Sequence, residues 1–130
     1  MNANMSTILL VEDECEIRAL VKACLEHAGY AVLAATDGIE GVSVYRQHQS
    51  EIALLLTDVM MPNMNGLELA DCVLALDSRL PVLFISGNAP SADRGYGCVA
   101  KPFTSAALVN RVRQALSRNT RPTQTKTQAA

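Results

Sequence analysis

The sequence predicts a one-domain α/β protein with a doubly wound sheet of five parallel strands and helices on both faces. Short apolar runs alternate along the chain with segments whose apolar residues recur every three and four positions, as in alternating strands and helices. Connections of this kind produce parallel strands. The chain has 130 residues, of which 49% are hydrophobic, so it is long enough to bury a substantial core.

The first half of the chain predicts three strands and two helices. The strands are apolar runs bounded by polar residues, at 7–11, 30–34 and 52–57. The helices show apolar residues at helical spacing, at about 17–28 and 38–48. Gly29 is expected to cap the end of the first helix, and the Asp37–Gly38 turn is expected to begin the second.

The second half predicts two more strands and two more helices. A helix is expected at 66–76 and another from Thr104 or Ser105, either of which can cap it, to about 116. The strands are at 81–85, where a proline is tolerated at the first position, and at 98–100. The segment 87–97 is rich in Gly, Ala, Pro, Ser and Asp, and no helix is assigned there.

Composition narrows the possible functions. A net charge of -2 does not favour direct nucleic-acid binding, and the four scattered cysteines are typical of reduced thiols in a cytoplasmic protein. The start of the chain does not resemble a signal peptide, and no apolar run approaches the roughly 18 residues of a membrane span. We expect a flexible N-terminus at 1–5, a domain at 6–117 and a disordered polar tail at 118–130.

Polar side chains follow four of the predicted strands at the point where each strand ends. Glu12 and Asp13 follow the first strand, Asp58 ends the third, Ser86 follows the fourth and Lys101 follows the fifth. The carboxyl ends of parallel strands meet at one edge, which is where ligands bind in such sheets. Crowded carboxylates suit Mg²⁺, which commonly bridges to phosphate oxygens, and a lysine supplies a charge for a phosphoryl group. The set predicts a magnesium-assisted phosphoryl-acceptor site with Asp58 as the acceptor.

These motifs resemble the receiver domain of two-component response regulators. The residues that carry the resemblance over about 6–117 are four segments, 8–14, 57–66, 85–87 and 99–103. The resemblance implies a flavodoxin-like strand order of 2-1-3-4-5 and a signalling phosphoacceptor rather than a classical enzyme.

The resemblance also implies a role for each residue of the site. Asp58 takes a phosphoryl group from the phosphohistidine of a sensor histidine kinase or a phosphotransfer protein. Lys101 pairs with the phosphoryl oxygens, Ser86 turns toward them on activation, and the Lys101–Pro102 bond is cis. The implied ligands of Mg²⁺ are the side chains of Asp13 and Asp58 and the backbone carbonyl of Met60, with Glu12 acting directly or through water.

The chain departs from the family pattern in two places that concern the output. Cys98 stands three residues before Lys101, where the family usually has Phe or Tyr. The segment between Ser86 and Lys101 is short, so the family's fourth helix, which lies between the fourth and fifth strands, is expected to be short or missing. The alternative is therefore a receiver-like interaction domain that works without phosphorylation.

The remaining expectations concern the wider protein. The chain is either a stand-alone regulator or the receiver portion of a hybrid kinase, with an unidentified downstream protein partner. No direct nucleic-acid contact and no membrane insertion are expected. An aspartyl-nucleophile phosphatase is disfavoured because Asp58 is followed by Val59 and Met60 rather than by the Asp-x-Asp arrangement of those enzymes.

Overall fold

A computed structural model describes residues 6–87 and 97–125 of the chain, with side chains described as far as 117. Five strands form one sheet, and they are β1 (Thr7–Val11), β2 (Ala31–Ala35), β3 (Ile52–Asp58), β4 (Val82–Ser86) and β5 (Gly97–Ala100). Four helices are described, and they are α1 (Cys15–His27), α2 (Gly38–Gln47), α3 (Gly66–Leu76) and α4 (Ser105–Thr125). None of these helices is both long enough and apolar enough to cross a membrane.

The sheet is parallel throughout, and its strand order is β2-β1-β3-β4-β5, so the predicted order of 2-1-3-4-5 is confirmed. The three central strands are buried almost completely, because helices cover both of their faces. The chain reverses its direction of travel across the sheet between β1 and β3. Their carboxyl ends therefore form the crevice at which doubly wound sheets bind ligands.

Each face of the sheet has its own hydrophobic core. Side chains from α2 and α3 pack on one face against residues that include Leu9, Leu55 and Phe84. Side chains from α1 and α4 pack on the other face around Leu10 and Leu56. Neighbouring residues of a strand point to opposite faces, so each buried strand supplies both cores. This two-sided packing holds the carboxyl ends of β1, β3 and β4 in fixed register.

The helix ends show the capping chemistry that the sequence predicts. Gly29 adopts a φ of +102° after α1, and its N–H donates to the Glu26 carbonyl at 3.0 Å. Asp37 caps α2 by accepting the Glu40 N–H at 2.9 Å. Thr104 caps α4 by accepting the Ala107 N–H at 3.0 Å, which decides between the two predicted caps.

The largest difference between the predicted and the observed helix and strand boundaries is at the end of α4. The last helix extends to Thr125, beyond the predicted end near 116 and into the predicted tail, because neither glycine nor proline interrupts it before Pro122. The division into a domain at 6–117 with flexible ends at 1–5 and 118–130 stays a prediction. Residues 88–96, where a short or missing helix was predicted, lie outside the described residues.

Candidate functional site

The register of the central strands places the acidic residues of two strands side by side. Val11 at the end of β1 lies beside Thr57 of β3, so the next residue in each strand direction is Glu12 beside Asp58. Asp58 in turn lies beside Ile85, one residue before Ser86. Ser86 lies beside Ala100, one residue before Lys101. The sheet therefore gathers the predicted residues at one edge by register alone.

The three predicted side-chain metal ligands do come together. One carboxylate oxygen from each of Glu12, Asp13 and Asp58 lies within 4.8 Å of the other two. Glu12 is fully buried, Asp58 is 5% exposed, and Asp13 faces solvent. Close carboxylates repel one another, and a cation removes that repulsion. The cluster is thus reached from solvent on the Asp13 side and closed by the protein on the other.

Glu12 has one satisfied and one unsatisfied carboxylate oxygen. Its Oε2 accepts the Glu14 N–H at 3.1 Å, whereas the buried Oε1 has no hydrogen-bond partner among the residues that the structure describes. Burial raises the pKa of Glu12 from 4.5 to about 7; the negative charge of Asp58 adds to the increase, while the Glu14 hydrogen bond and the charge of Lys101 oppose it. A buried oxygen without a partner is costly, so it marks a place where a ligand is expected.

Lys101 approaches the same carboxylates from β5. Its Nζ lies 3.3 Å from Asp58 Oδ2 and 3.8 Å from Glu12 Oε1. The lysine backbone is held by its own N–H, which donates to the Ser86 carbonyl at 2.9 Å. The Lys101–Pro102 peptide bond is cis, as the resemblance implies. One cation thus faces the carboxylates from the side opposite the β1 loop.

The structure also places the remaining two predicted residues at this edge. Ser86 ends β4 and is only 8% exposed. Met60 lies in the loop after Asp58, where its N–H reaches Asp58 Oδ1 at 3.4 Å and its side chain is 70% exposed. All six predicted site residues therefore lie at one end of the sheet. Their individual roles stay predictions.

The loop between Asp58 and α3 is tightly built. Asn65 caps α3 by accepting the Glu68 N–H at 2.9 Å, and the Glu68 carboxylate returns a hydrogen bond to the Asn65 N–H at 3.0 Å. Gly66 donates its N–H to the Val59 carbonyl at 2.9 Å. A Cβ on Gly66 would collide with the Asp58 carbonyl oxygen, so only glycine fits here.

Cys98 occupies a partly buried position on β5, on the face covered by α2 and α3. It lies beside Phe84 of β4 and packs against the core on that face. The aromatic side chain at this depth of the sheet is therefore on β4, two residues before Ser86, and not on β5. Tyr96 and Asn88, which lie within the short segment between Ser86 and Lys101, are outside the described residues.

One residue near the site was not singled out from the sequence. Arg18 of α1 donates from Nη1 to the backbone carbonyl of Glu12 at 2.9 Å. The only sequence signal was a basic side chain in the second turn of a helix that follows three acids, and that pattern is common on solvated helices.

The donor set fits the cation that the sequence predicts. All three clustered groups are carboxylates, and hard divalent cations such as Mg²⁺ prefer oxygen ligands. The unpartnered Glu12 Oε1 and the exposed Asp13 would provide a buried and a solvent-facing ligand. Mg²⁺ usually keeps several waters and binds through one or two carboxylates, which suits a cluster open on one side.

Comparison with known proteins places the chain among signalling domains. The sequence profile described as "Response regulator receiver domain" matches residues 8–113. The response regulator receiver protein CpdR of Brucella abortus is 39% identical over 120 residues, which cover 86% of this chain and 98% of that protein. The transcriptional regulatory protein CseB of Streptomyces avermitilis is 37% identical over 123 residues. That match covers 89% of this chain, which spans about half (51%) of the length of CseB.

A solved structure gives the same grouping. The receiver domain from the hybrid histidine kinase CckA superposes with a TM-score of 0.77 at 35% sequence identity. The match covers 85% of this chain and 99% of that one. Sequence and fold therefore agree over nearly the whole described part of the chain.

Proposed function

Because the chain belongs to the response regulator receiver domain family, we propose that Asp58 is the phosphoryl acceptor of a two-component signalling pathway. Receiver domains partner with histidine kinases, and they are signalling phosphoacceptors rather than classical enzymes.

One observation carries the proposal. The nearly buried Asp58 carboxylate has Glu12 and Asp13 on one side and the Lys101 ammonium, 3.3 Å away, on the other. The single positive charge of Lys101 does not balance both carboxylates, because its Nζ also lies 3.8 Å from Glu12. Asp58 is therefore poorly stabilised as a buried carboxylate unless a further positive charge binds nearby. A divalent cation would offset the negative charge of the carboxylates, and a phosphoryl group would pair with that cation and with Lys101. The arrangement suits phosphoryl transfer, in which catalysis consists mainly of positioning and charge stabilisation.

In the proposed reaction, a carboxylate oxygen of Asp58 attacks the phosphorus of a phosphohistidine. The new bond joins Asp58 to phosphorus, the bond from phosphorus to the histidine nitrogen breaks, and that nitrogen recovers a proton from solvent. Lys101 is positioned to pair with oxygens of the transferred group, and Ser86 is placed to donate its hydroxyl. Mg²⁺, held by Glu12, Asp13, Asp58 and the Met60 carbonyl, would offset the charge that accumulates.

The partners follow from this chemistry. The donor is a sensor histidine kinase or a phosphotransfer protein, and the recipient of the signal is a further protein whose affinity changes with the charge on Asp58. CpdR and CseB show that related receiver sequences occur both nearly alone and within longer proteins. A cytoplasmic location and the absence of direct nucleic-acid contact and of membrane insertion stay predictions.

A second function is kept because of Cys98. The family position that usually carries an aromatic residue holds a small thiol here, so a phosphorylation-independent interaction domain is the alternative. The two functions share the fold and the acidic cluster. They differ in whether Asp58 takes up a phosphoryl group.

The proposal is tested by incubating the protein with MgCl₂ and acetyl phosphate and measuring its intact mass. We expect the wild-type protein to gain one phosphoryl group and Asp58→Asn to gain none, because the amide cannot act as the nucleophile. Omitting Mg²⁺ should reduce the uptake strongly. Beryllofluoride should bind to the wild-type protein and not to Asp58→Asn.

Asp71→Asn is the matched control, because it removes an exposed carboxylate from α3 and leaves the cluster intact. It should gain the phosphoryl group as the wild type does. Wild-type protein that binds Mg²⁺ yet takes up no phosphoryl group from acetyl phosphate or from any histidine kinase tested would favour the interaction domain instead.

A further inference from the structure

We infer that Arg18 is a positioning residue for the cation site, because it fixes the loop that presents Glu12 and Asp13. The inference rests on the proposed function, since it assigns a second layer of residues to the same site. Arg18 lies in the second turn of α1, and its Nη1 donates to the Glu12 backbone carbonyl at 2.9 Å. The contact spans six residues and closes the β1–α1 loop on itself.

The loop is held at three points around Glu12. The Glu12 N–H donates to the Ala35 carbonyl of β2 at 3.1 Å, and Glu12 Oε2 accepts the Glu14 N–H at 3.1 Å. The third point is the arginine on the Glu12 carbonyl. The arginine contact is charge-assisted, and charge-assisted hydrogen bonds are the stronger kind.

The direction of the Glu12 carboxylate depends on this restraint. Glu12 Oε1 is buried without a hydrogen-bond partner and lies 3.8 Å from the Lys101 ammonium. The Glu12 carboxylate is oriented through Oε2 by the Glu14 N–H, a contact within the same loop, so the place of Oε1 in the cluster follows the loop backbone that Arg18 holds. Groups that orient metal ligands without touching the metal typically contribute 10- to 100-fold to metal affinity.

The charge of Arg18 has the opposite effect on the same site. A positive charge close to three carboxylates reduces their attraction for a divalent cation. Removing the charge alone should therefore tighten Mg²⁺ binding, whereas removing the restraint should weaken it. The sign of the change separates a positioning role from a purely electrostatic one.

The test compares two variants of α1, each of which replaces one positively charged side chain by the uncharged side chain of methionine. Arg18→Met removes the charge and the restraint. Lys22→Met removes a charge that lies one turn farther along and pairs with Glu26 at 2.8 Å, away from the cluster. Mg²⁺ affinity is measured by isothermal titration calorimetry, and Mn²⁺ binding by electron paramagnetic resonance. The chain contains no tryptophan, so intrinsic tryptophan fluorescence is not a usable signal.

We expect Arg18→Met to bind Mg²⁺ about tenfold more weakly than the wild type despite its lost positive charge. Lys22→Met should bind Mg²⁺ as tightly as the wild type or slightly more tightly. Arg18→Lys, which keeps a charged donor, should recover part of the affinity. Arg18→Met protein that binds Mg²⁺ as tightly as Lys22→Met would overturn the inference.

Folding and the proposed function are controlled separately. The melting temperature of each variant is measured without metal, and Arg18→Ala, which removes the same donor and favours the helix, replaces Arg18→Met if that variant does not fold. Wild-type protein that takes no Mg²⁺ and no phosphoryl group would count against the proposed function itself. Normal wild-type uptake with an unchanged Arg18 variant counts only against the positioning role.

Discussion

Glu12 is the residue of the site whose burial most clearly lowers the stability of the folded protein. A fully buried carboxylate with an unpartnered oxygen is unfavourable in a protein interior, and its pKa near 7 expresses that cost. The lysine at 3.8 Å does not cancel the burial, because it also serves Asp58 at 3.3 Å. The metal-free protein is therefore expected to be strained electrostatically at neutral pH.

The first prediction follows from the direction of this pKa shift. A carboxyl whose pKa is higher in the folded state than in the unfolded state binds its proton more tightly when folded. Its contribution to stability is complete below about pH 4.5 and is lost as the pH rises toward 7. Glu12→Gln should remove this loss, on the order of 2–3 kcal/mol at pH 8.

The measurement is urea unfolding in EDTA at pH 4, 6 and 8 for both proteins. The free energies of unfolding should diverge as the pH rises, with Glu12→Gln becoming the more stable protein at pH 8. Other carboxyls titrate in both proteins, so only the difference between the two curves is interpreted. Parallel curves would show that Glu12 titrates normally in the folded protein.

The sequence predicted the residues that would contact the metal ion and the phosphoryl group, but it did not predict Arg18, which contacts the backbone of one of them. Glu12, Asp58 and Lys101 were predictable because strand ends converge in a parallel sheet, so position along the chain implies proximity. Arg18 was not predictable in the same way. Its contact depends on the path of one loop and one side-chain rotamer, which a helical pattern of residues does not specify.

At the scale of elements, the connection from β3 to α3 is the most constrained part of the site. Gly66 begins α3 directly beneath Asp58, and Gly38 at the start of α2 packs against Met64 of the same loop. A Cβ on Gly38 would lie 2.7 Å from the Met64 Cβ. The site therefore depends on two glycines that allow backbone and side chains to approach closely, and neither approach is visible from spacing in the sequence.

Gly66→Ala is expected to destabilise the protein, although alanine favours helices more than glycine does. The new Cβ would meet the Asp58 carbonyl oxygen and would lie 3.0 Å from the Val59 Cα. Overpacking of this kind typically costs about 1–3 kcal/mol, against roughly 1 kcal/mol gained in helix propensity. Because the displaced peptide belongs to Asp58, phosphoryl uptake from acetyl phosphate should also fall.

Gly87→Ala is the control for this substitution. Among the residues that the structure describes, no atom lies within 4 Å of a Cβ built on Gly87, so the free energy of unfolding of Gly87→Ala should change by no more than about 0.5 kcal/mol. Thermal unfolding and acetyl phosphate uptake are measured on both variants. Equal stability of the two would mean that the β3–α3 connection relaxes freely around the added methyl group.

Element boundaries were predictable where the chemistry is local and less so elsewhere. The helix α3 was predicted at its observed limits because a glycine-led start and an apolar stripe define it. The strand β2 was predicted one residue too early, because a run of alanine, valine and leucine contains no glycine, proline or polar residue that would mark where the strand begins or ends. The end of α4 was placed too early, because a polar sequence without glycine does not by itself stop a helix.

At the scale of the whole molecule, the fold gathers negative charge at one edge of an otherwise apolar sheet. The strands β1 and β3 are neighbours; Glu12 directly follows β1 and Asp58 ends β3, while two apolar cores hold the strands from opposite faces. The carboxylates cannot separate without disturbing both cores. The repulsion among them is therefore a property of the folded state that unfolding relieves, and any cation that binds the cluster must stabilise the fold.

The final prediction is that Mg²⁺ raises the melting temperature of the wild-type protein in proportion to the logarithm of its concentration. Binding to the folded state alone contributes about 2.7 kcal/mol when Mg²⁺ is present at 100 times its dissociation constant, which corresponds to a rise of several degrees for a domain of this size. Asp13→Asn should lose most of the rise. Glu14→Gln removes the same charge from the adjacent residue, whose carboxylate lies outside the cluster, and should keep it. Equal losses in both variants would mean that Mg²⁺ acts on the general negative charge of the loop rather than at a site formed by β1 and β3.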